Sequence, residues 1–428
     1  MPAPRSLVRS LFYPLHERLR GRSTLRHFRA MRRRDAGGPE DLQAFHDATL
    51  VAHLKHAAAT VPFYRERVDA DRIECPGDLA RFPVIDKATV REHREQLLSE
   101  AWTGKVLTFE TGGSSGEPLR FHSDLDRESS QLACKLRARA WWGLHPGHRE
   151  TDLWGSPIET AKDAGLRRVV ASMLGFQLLP AFQLNAETMA TFRDRLARGR
   201  ADFLYGYASA LGAYARFLEG RGEDLLDLGL ELAICTAETL LDADREVIAR
   251  RLAPPANEYG CRDGGLIAHD DPSGHLRLMH DAVHVEVVDE AGEVLSDGEE
   301  GEVVLTNLWA RAFPMIRYRV GDRIVKSPEP PSDGLPHPTV DRLAGRSTDF
   351  LVATDGTRVH ALGMIYILRE IPGIARFRVV QESRARLVVL IVPEADLDRG
   401  RVPEDIVRKS RRVLGADEFD AVEAAVVL

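Results

Sequence analysis

The segment FETGGSSGEPLRF, residues 109–121, places three glycines, two serines and a threonine between two kinds of secondary structure. Residues 105–109 favour a β-strand, and residues 126–142 favour a long helix. Glycines let the backbone turn its N–H groups inward, hydroxyl groups add donors, and the N-terminus of a following helix adds positive potential. The composition predicts an anion-binding loop, although an ordinary flexible turn explains the same residues. The segment lacks the GxxxxGK[ST] pattern of a P-loop.

The chain around this loop has the composition of a globular protein. Its 428 residues are enough for two or three domains, and its 44% hydrophobic and 29% charged residues are ordinary. The net charge of −7 gives no reason to expect nucleic-acid binding. The four cysteines include no CxxC pair, which favours reduced thiols in a cytoplasmic protein. No run of about 18 apolar residues predicts a membrane span.

The first 40 residues are strongly basic. They carry ten arginines against three acidic residues, and SLVRSLFYPLHERLRG (6–21) is predicted to form an amphipathic basic helix. Two interpretations stay open. The segment makes a weak contact with a membrane surface or a carrier protein, or it is an arm packed on the main domain.

Short apolar runs alternate with helical stretches in the middle of the chain. Examples are TDLWGSP (151–157), ADFLYGYASALGAYARFLEG (201–220) and LELAICTAETLLDADREVIARRL (230–252). This alternation predicts an α/β fold with a largely parallel sheet. After about residue 275, β-branched runs broken by Gly and Asp indicate a β-rich subdomain. We predict a basic arm (1–40), a large domain (41–345) and a small α+β C-terminal domain (346–428).

Five segments resemble, in the correct order, the motifs of adenylate-forming enzymes. They are TGGSSGEP (111–118), AICTAETL (233–240), NEYGCRDGG (257–265), GEVVLTNLWARAFPMIRYRVGD (301–322) and LAGRSTDFLVATDGTRV (343–359). HAAATVPFYRERV (56–68) and FPVIDKATVREH (82–93) look like the phenylacetate–coenzyme A ligase-like family, including its capsule-polysaccharide-associated members. The resemblance covers roughly residues 45–400.

This family activates carboxylic acids in two steps. The carboxylate attacks the α-phosphorus of ATP to give an acyl-adenylate and pyrophosphate, and a thiol then displaces AMP. The resemblance therefore implies ATP, Mg²⁺, a small-molecule carboxylic acid, and coenzyme A or a carrier thiol. It also implies a large α/β N-terminal domain with a β-rich subdomain, followed by a small mobile α+β C-terminal domain.

The resemblance assigns most candidate residues to ATP. The phosphates would be held by Thr111, Gly112, Gly113, Ser114, Ser115 and Gly116. Ala237 and Glu238 would lie over adenine, Tyr259 (followed by Gly260) would stack on it, and Asp322 would bind the ribose hydroxyls. A core tyrosine and a turn aspartate are the structural alternatives for Tyr259 and Asp322.

Two charged residues are candidates for catalysis. Asp263 stands where the family has the glutamate associated with Mg²⁺, and either carboxylate is a suitable ligand for this ion. Arg346 lies at the hinge between the domains, where it could reach phosphate or ribose. A turn acid and a surface ion pair are the respective alternatives.

The segment LYGYASALGAYARF (204–217) is predicted to form one wall of the acyl pocket. Its residues Tyr205, Gly206, Tyr207 and Ala208 suit an aromatic or otherwise flat acid. A buried packing helix explains the same residues.

Two departures from the family leave a second function open. Glu117 stands where many relatives have lysine, and FDAVEAAVVL (419–428) precedes the position of the family's Gly-Lys pair. Lys409, on a predicted surface helix, is not expected to replace that lysine. The alternative to a ligase is a catalytically impaired nucleotide- or acyl-binding protein of polysaccharide or lipid biosynthesis. A homodimer also remains open.

Overall fold

The computed structural model describes most of the chain, and the statements below concern these residues. They are 4–110, 119–155, 170–171, 173–181, 184, 186–329, 331–332, 334–345, 350–352, 358–360, 364, 368, 371, 374–384, 386–393, 404, 406, 408 and 421–426.

The strands β1–β13 precede residue 346. They are β1 (Val106–Glu110), β2 (Arg120–Asp124), β3 (Glu150–Trp154), β4 (Phe176–Pro180), β5 (Phe203–Tyr207), β6 (Leu232–Thr236), β7 (Pro255–Cys261), β8 (Gly265–Asp270), β9 (Leu276–Leu278), β10 (Val283–Val288), β11 (Glu300–Asn307), β12 (Tyr318–Lys326) and β13 (Thr339–Gly345).

Eleven of these strands form one mixed sheet, in the order β10-β11-β12-β13-β9-β8-β7-β6-β5-β3-β4. The strands β4, β3, β5, β6 and β7 run parallel to one another. From β8 onward the pairings are antiparallel. The predicted α/β fold class is therefore confirmed, with the change from parallel to antiparallel pairing at the β7–β8 hairpin.

Helices cover and connect the strands. They are α1 (Arg5–Leu7, the π-helical Val8–Phe12 and Tyr13–Leu19, which run on from one another), α2 (Thr24–Asp35), α3 (Pro39–Thr60), α4 (Pro62–Arg65), α5 (Lys87–Glu92), α6 (Leu125–Trp141), α7 (Ala186–Ala190), α8 (Phe192–Gly199), α9 (Ala208–Gly220) and α10 (Asp242–Arg251). Short 3₁₀ turns occupy Ala70–Arg72, Pro76–Arg81 and Leu226–Leu228. None of the helices described is both long and apolar enough to cross a membrane.

Local sequence signals explain where the helices begin. The Asp124 carboxylate accepts the Arg127 N–H at 2.8 Å, which caps the N-terminus of α6. Its other oxygen accepts the Ala312 N–H at 2.8 Å, so the same side chain joins α6 to the segment after β11. Pro39 and Pro62 occupy the first turns of α3 and α4, where a missing N–H costs no intrahelical bond.

Two large apolar cores lie on the sheet. The first joins α3, the strands of the antiparallel half and the segment 61–97, with members such as Leu54, Phe82 and Val303. The second joins α8, α9 and α10 to the parallel strands. Strand β6 is buried along its whole length, as is typical of a parallel strand covered on both faces.

A buried ionic cluster, which we call the Asp281 cluster, joins α2 to α6 and to the segment between β9 and β10. The Asp281 carboxylate contacts Arg137 at 2.8 Å and Arg34 at 2.7 Å. Asp35, at the end of α2, accepts the Trp141 indole N–H at 3.0 Å and lies 2.9 Å from His337 Nε2. The basic segment is thus joined to the main core through α2, whereas the domain boundaries predicted from the sequence stay predictions.

The described residues after 346 form two small sheets. The hairpin β14 (Phe350–Val352) and β15 (Arg358–His360) is antiparallel. In the second sheet, β16 (Ile374–Ser383) pairs antiparallel with β17 (Arg386–Pro393), which pairs parallel with β18 (Ala421–Val426). A separate apolar cluster that includes Leu387, Val389 and Ile391 lies against this sheet.

Candidate active site

An open pocket with about 470 Å³ of empty space lies at the carboxyl ends of β6 and β7. This is the edge at which parallel α/β sheets commonly bind ligands. The residues that line it are Ala237, Glu238, Thr239, Asn257, Glu258, Tyr259, Gly260, Asp322, Arg323 and Leu343. The pocket therefore brings together the five residues that the resemblance assigned to the nucleoside, from three separate segments of the chain.

The turn after β6 forms one side of the pocket. Ala237 has a φ of 64°, in the left-handed region that non-glycine residues seldom adopt. The Glu238 carboxylate, which is buried, accepts the backbone N–H of Ser209 at 2.7 Å and its hydroxyl at 3.0 Å. Because Ser209 lies in the first turn of α9, the start of this helix holds the strained turn in place.

Strands β7 and β12 form the other side. The Tyr259 hydroxyl donates to Asp322 Oδ2 at 3.0 Å, and Asp322 is buried. A Cβ at Gly260 would lie 2.5 Å from the carbonyl oxygen of Gly265, so the close approach of β8 requires glycine at this position. The aromatic ring and the carboxylate are thereby fixed relative to one another before any ligand binds.

Asp263 lies outside the pocket lining. Its Oδ2 accepts the Tyr318 hydroxyl at 2.5 Å, its backbone carbonyl accepts Arg127 Nη2 at 2.6 Å, and its side chain is buried. Within the described residues, no group of three or more His, Cys, Asp or Glu side chains could hold a metal ion. A lone carboxylate fits only as one ligand of a magnesium ion that takes its other ligands from phosphate and water. The metal assignment stays a prediction.

Other predicted residues lie outside the part of the chain that the structure describes. They are the phosphate-loop residues Thr111, Gly112, Gly113, Ser114, Ser115 and Gly116, and the hinge residue Arg346.

The predicted acyl wall forms the end of β5 and the start of α9. A Cβ at Gly206 would lie 2.7 Å from the carbonyl oxygen of Leu153, so β3 approaches closely here. The Tyr207 ring stacks on Trp154 with centroids 4.1 Å apart, and α9 begins at Ala208. The Tyr205 hydroxyl of this wall donates to Glu258, which lines the pocket.

A charged network at this point was not identified from the sequence. Glu258 Oε1 accepts the Tyr205 hydroxyl at 2.8 Å and lies 3.2 Å from Lys135 Nζ. Lys135 also donates to the Tyr205 oxygen at 2.9 Å. The Thr236 hydroxyl donates to the same carboxylate oxygen at 3.4 Å. We call these four residues the Glu258 network; its only sequence signal is a glutamate and a lysine within otherwise buried elements.

Electrostatics keeps this network ionised. Burial opposes the charge of Glu258, but Lys135, His269, Arg139 and the Tyr205 hydroxyl together outweigh it and lower the pKa of the carboxyl to about 2. Burial also opposes the charge of Lys135, yet Glu258 and Tyr205 together raise the pKa of the ammonium above its ordinary value. Glu258 Oε2 is buried and has no hydrogen-bond partner among the described residues. The pocket lining thus includes an ionised carboxylate whose second oxygen has no donor among the described residues.

A second carboxyl group beside the network favours its neutral form. Arg139 makes a bidentate contact with Glu150, at 2.6 and 3.0 Å. Burial, and then the negative charge of Glu150, raise the pKa of Asp152 well above its ordinary value. Asp152 belongs to β3 and pairs in register with Tyr205. Strand β3, which lies beside the predicted acyl wall of β5, therefore carries polar side chains.

Comparisons with known proteins found phenylacetate–coenzyme A ligases and protein CapK as relatives. Over 318 residues the chain is 29% identical to a phenylacetate–coenzyme A ligase of Pseudomonas putida, with 70% of this chain and 69% of the relative covered. It is 26% identical over 406 residues to a phenylacetate–coenzyme A ligase of Thermus thermophilus, with 90% and 86% covered. It is 21% identical over 337 residues to protein CapK of Staphylococcus aureus, with 76% and 72% covered.

A solved structure shares the fold. A 2-hydroxyisobutyryl-CoA ligase, in complex with 2-HIB-AMP and CoA, superimposes with a TM-score of 0.61 at 18% identity. The superposition covers 92% of this chain and 88% of that one. No protein-family model matches the chain.

Proposed function

Because the chain belongs to the phenylacetate–coenzyme A ligase-like family of adenylate-forming enzymes, we propose that it joins a carboxylic acid to coenzyme A with cleavage of ATP to AMP and pyrophosphate. The observation that carries the proposal is the pocket in which Ala237, Glu238, Tyr259, Gly260 and Asp322 meet. Its position at the carboxyl edge of the parallel strands suits a nucleotide.

The residues of the pocket have distinct roles in this proposal. The Tyr259 ring offers a flat face to adenine, while the turn at Ala237 and Glu238 closes over the other side of the base. Asp322 accepts hydrogen bonds from the ribose hydroxyls. The residues 111–116 and Arg346 are proposed to contact the phosphates. Mg²⁺, bound to these phosphates, would neutralise part of their charge, and Asp263 is the protein carboxylate that would ligate it.

The protein's part in the chemistry is alignment. A carboxylate oxygen of the acid attacks the α-phosphorus. The bond between the α-phosphorus and the bridging oxygen breaks, and pyrophosphate leaves with its electron pair. The thiolate sulfur of coenzyme A then attacks the acyl carbon, and AMP leaves with the electron pair of the acyl–oxygen bond. A pocket that fixes the nucleoside before the reaction lowers the entropic cost of both displacements.

The Glu258 network supports a more specific substrate. The predicted acyl wall is aromatic, because the Trp154 ring stacks on Tyr207 and lies 5.7 Å from the Tyr205 ring, and Glu258 Oε2 is a buried acceptor. A buried acceptor without a donor is unfavourable, so an acid that supplies one is preferred over an acid that does not. We propose that the substrate is an aromatic carboxylic acid with a hydroxyl or amino substituent, which donates to Glu258.

Glu258→Gln is expected to reduce discrimination between substituted and plain aromatic acids. The amide keeps the size of the side chain but loses the charge that strengthens the hydrogen bond, which is worth about 1.5–3 kcal/mol. We expect kcat/KM for the hydroxylated acid to fall roughly 10- to 100-fold, whereas kcat/KM for the unsubstituted acid changes by less than about threefold. Steady-state kinetics with matched pairs of acids measures this difference.

Glu246→Gln is the matched control, because Glu246 is an exposed residue of α10 whose side chain is 72% accessible. It should leave both acids unchanged. Equal losses for the two acids in Glu258→Gln would show that Glu258 supports the structure of the pocket and does not select the substrate.

The function itself is tested by the products. The protein is incubated with ATP, Mg²⁺, coenzyme A and one acid at a time, and AMP and the acyl thioester are measured by mass spectrometry. We expect acid-dependent formation of both in equal amounts. AMP without thioester would indicate another acceptor, and binding of ATP without acid-dependent AMP would favour the catalytically impaired alternative.

A further inference from the structure

Helix α1 exposes a row of leucines. Leu7, Leu11, Leu15 and Leu19 recur at every fourth residue, and their exposed fractions are 45, 53, 49 and 78%. Ten large apolar side chains are exposed in the described part of the chain, and four of the ten lie on this one helix. Large apolar side chains concentrated on one exposed face mark an interaction surface more often than chance exposure does.

The helix is held to the body of the protein by other residues. Val8 and Glu17 are buried, and Arg5 forms an ion pair with Asp202. A Cβ at Gly147 would lie 2.5 Å from the carbonyl oxygen of Arg5, so the backbone of α1 touches the loop before β3. The leucine row is therefore presented by a helix in a defined position and is not a by-product of a detached segment.

The segment that carries this row also exposes arginines. The exposed arginines of α1, its C-terminal end and α2 that form no ion pair with any described residue are Arg9, Arg18, Arg20, Arg29, Arg32 and Arg33. The first 40 residues carry ten arginines against three acids, although the whole chain has a net charge of −7. The positive charge is thus local to the segment that exposes the leucines.

We propose that the leucine row, together with the six exposed arginines of the same segment, docks on the surface of an anionic lipid bilayer. An interfacial helix buries its apolar face at the boundary between headgroups and acyl chains, while its basic residues contact lipid phosphates.

A second copy of the chain is a poorer occupant. A symmetric pairing of two leucine rows would bring the arginines of one copy towards those of the other, and like charges at an interface are unfavourable. A bilayer that contains anionic lipids satisfies both the apolar row and the charge. An acidic protein partner satisfies the charge, and the test below distinguishes it.

The test is flotation of the full-length protein with vesicles of phosphatidylcholine alone or of phosphatidylcholine mixed with phosphatidylglycerol. We expect binding to the anionic vesicles only, weakened by salt. The double variants Leu11→Glu with Leu15→Glu, and Arg18→Glu with Arg20→Glu, should each reduce the bound fraction roughly tenfold. Leu226→Glu and Val294→Glu change exposed apolar residues elsewhere and should bind like the parent protein.

Each other outcome would overturn the proposal. Equal binding to both kinds of vesicle would show that the arginines do not contribute to binding. No binding to either would show that the face does not dock on a bilayer. A dimer that Leu11→Glu dissociates would assign the face to a second copy. All variants are compared at equal thermal stability and equal AMP formation.

Discussion

Asp322→Ala is expected to lower acid-dependent pyrophosphate release at least about 100-fold. In the proposed complex Asp322 accepts two hydrogen bonds from ribose, and each hydrogen bond to a charged group is worth about 1.5–3 kcal/mol. The variant also removes the acceptor of the Tyr259 hydroxyl, which lies 3.0 Å away, so the ring loses its fixed position. Pyrophosphate release at saturating acid, measured over a range of ATP concentrations, gives kcat and KM for ATP.

Two further variants separate the role of Asp322 from a general effect on the fold. Tyr259→Phe keeps the ring and frees the carboxylate, so we expect a loss of less than about tenfold. Asp341→Asn changes an exposed aspartate on the neighbouring strand β13 and should have no effect. If Asp322→Ala retained the parent activity at equal stability, the nucleoside would not bind in this pocket.

Asp281→Asn is expected to destabilise the protein by about 3–5 kcal/mol. Asp281 and Arg137 are completely buried, and Arg34 contacts the same carboxylate. An asparagine keeps the volume but removes the nearer counter-charge of the buried Arg137 guanidinium, which is left with Asp35 at 3.5 Å as its remaining carboxylate. Chemical denaturation with urea, followed by far-UV circular dichroism, measures the difference in the free energy of unfolding.

The pH dependence gives a second readout of this cluster. Burial opposes ionisation of Asp281, but Arg137 and Arg34 outweigh it and lower the pKa of the carboxyl below its ordinary value. Such a group contributes stability above the pKa of the unfolded chain, about 3.9, and loses it as the pH falls through the folded pKa. The difference between Asp281→Asn and the parent protein should therefore shrink below about pH 4.

Controls for this prediction are available in the chain. Asp227→Asn removes the partner of Arg193 in an exposed ion pair and should leave stability unchanged within error. Adding Arg137→Met to Asp281→Asn removes the buried guanidinium that has lost its partner Asp281 and should recover part of the lost stability. A full loss in the double variant would indicate that packing, and not charge, accounts for the effect.

Much of the fold could be predicted because its signals are local. The apolar runs that became β3, β5 and β6 alternate with helical stretches, and the prolines at positions 39 and 62 stand in the first turns of their helices. The attachment of α2 could not be predicted in the same way. Arg34, Arg137 and Asp281 are far apart in the sequence and look like ordinary surface charges, and only tertiary packing buries them together.

The candidate site divides along the same line. Ordered motifs indicated Ala237, Glu238, Tyr259, Gly260 and Asp322, and the fold brings these residues to one pocket. The carboxylate of Asp263 instead accepts the Tyr318 hydroxyl, a contact between the β7–β8 turn and β12 that motif spacing does not encode. The Glu258 network was missed for a related reason, because the pairing of Lys135 on α6 with Glu258 on β7 depends on how the helix packs on the sheet.

The exchange of labelled pyrophosphate into ATP tests the central claim most directly. It reports formation of the acyl-adenylate alone, without coenzyme A, and is run with hydroxylated, amino-substituted and plain aromatic acids and with fatty acids. The account predicts exchange that requires an acid, is fastest with a substituted aromatic acid and is lost in Asp322→Ala. Absence of exchange with every acid, in a protein shown by calorimetry to bind ATP, would contradict the assignment of this chain as an adenylate-forming ligase.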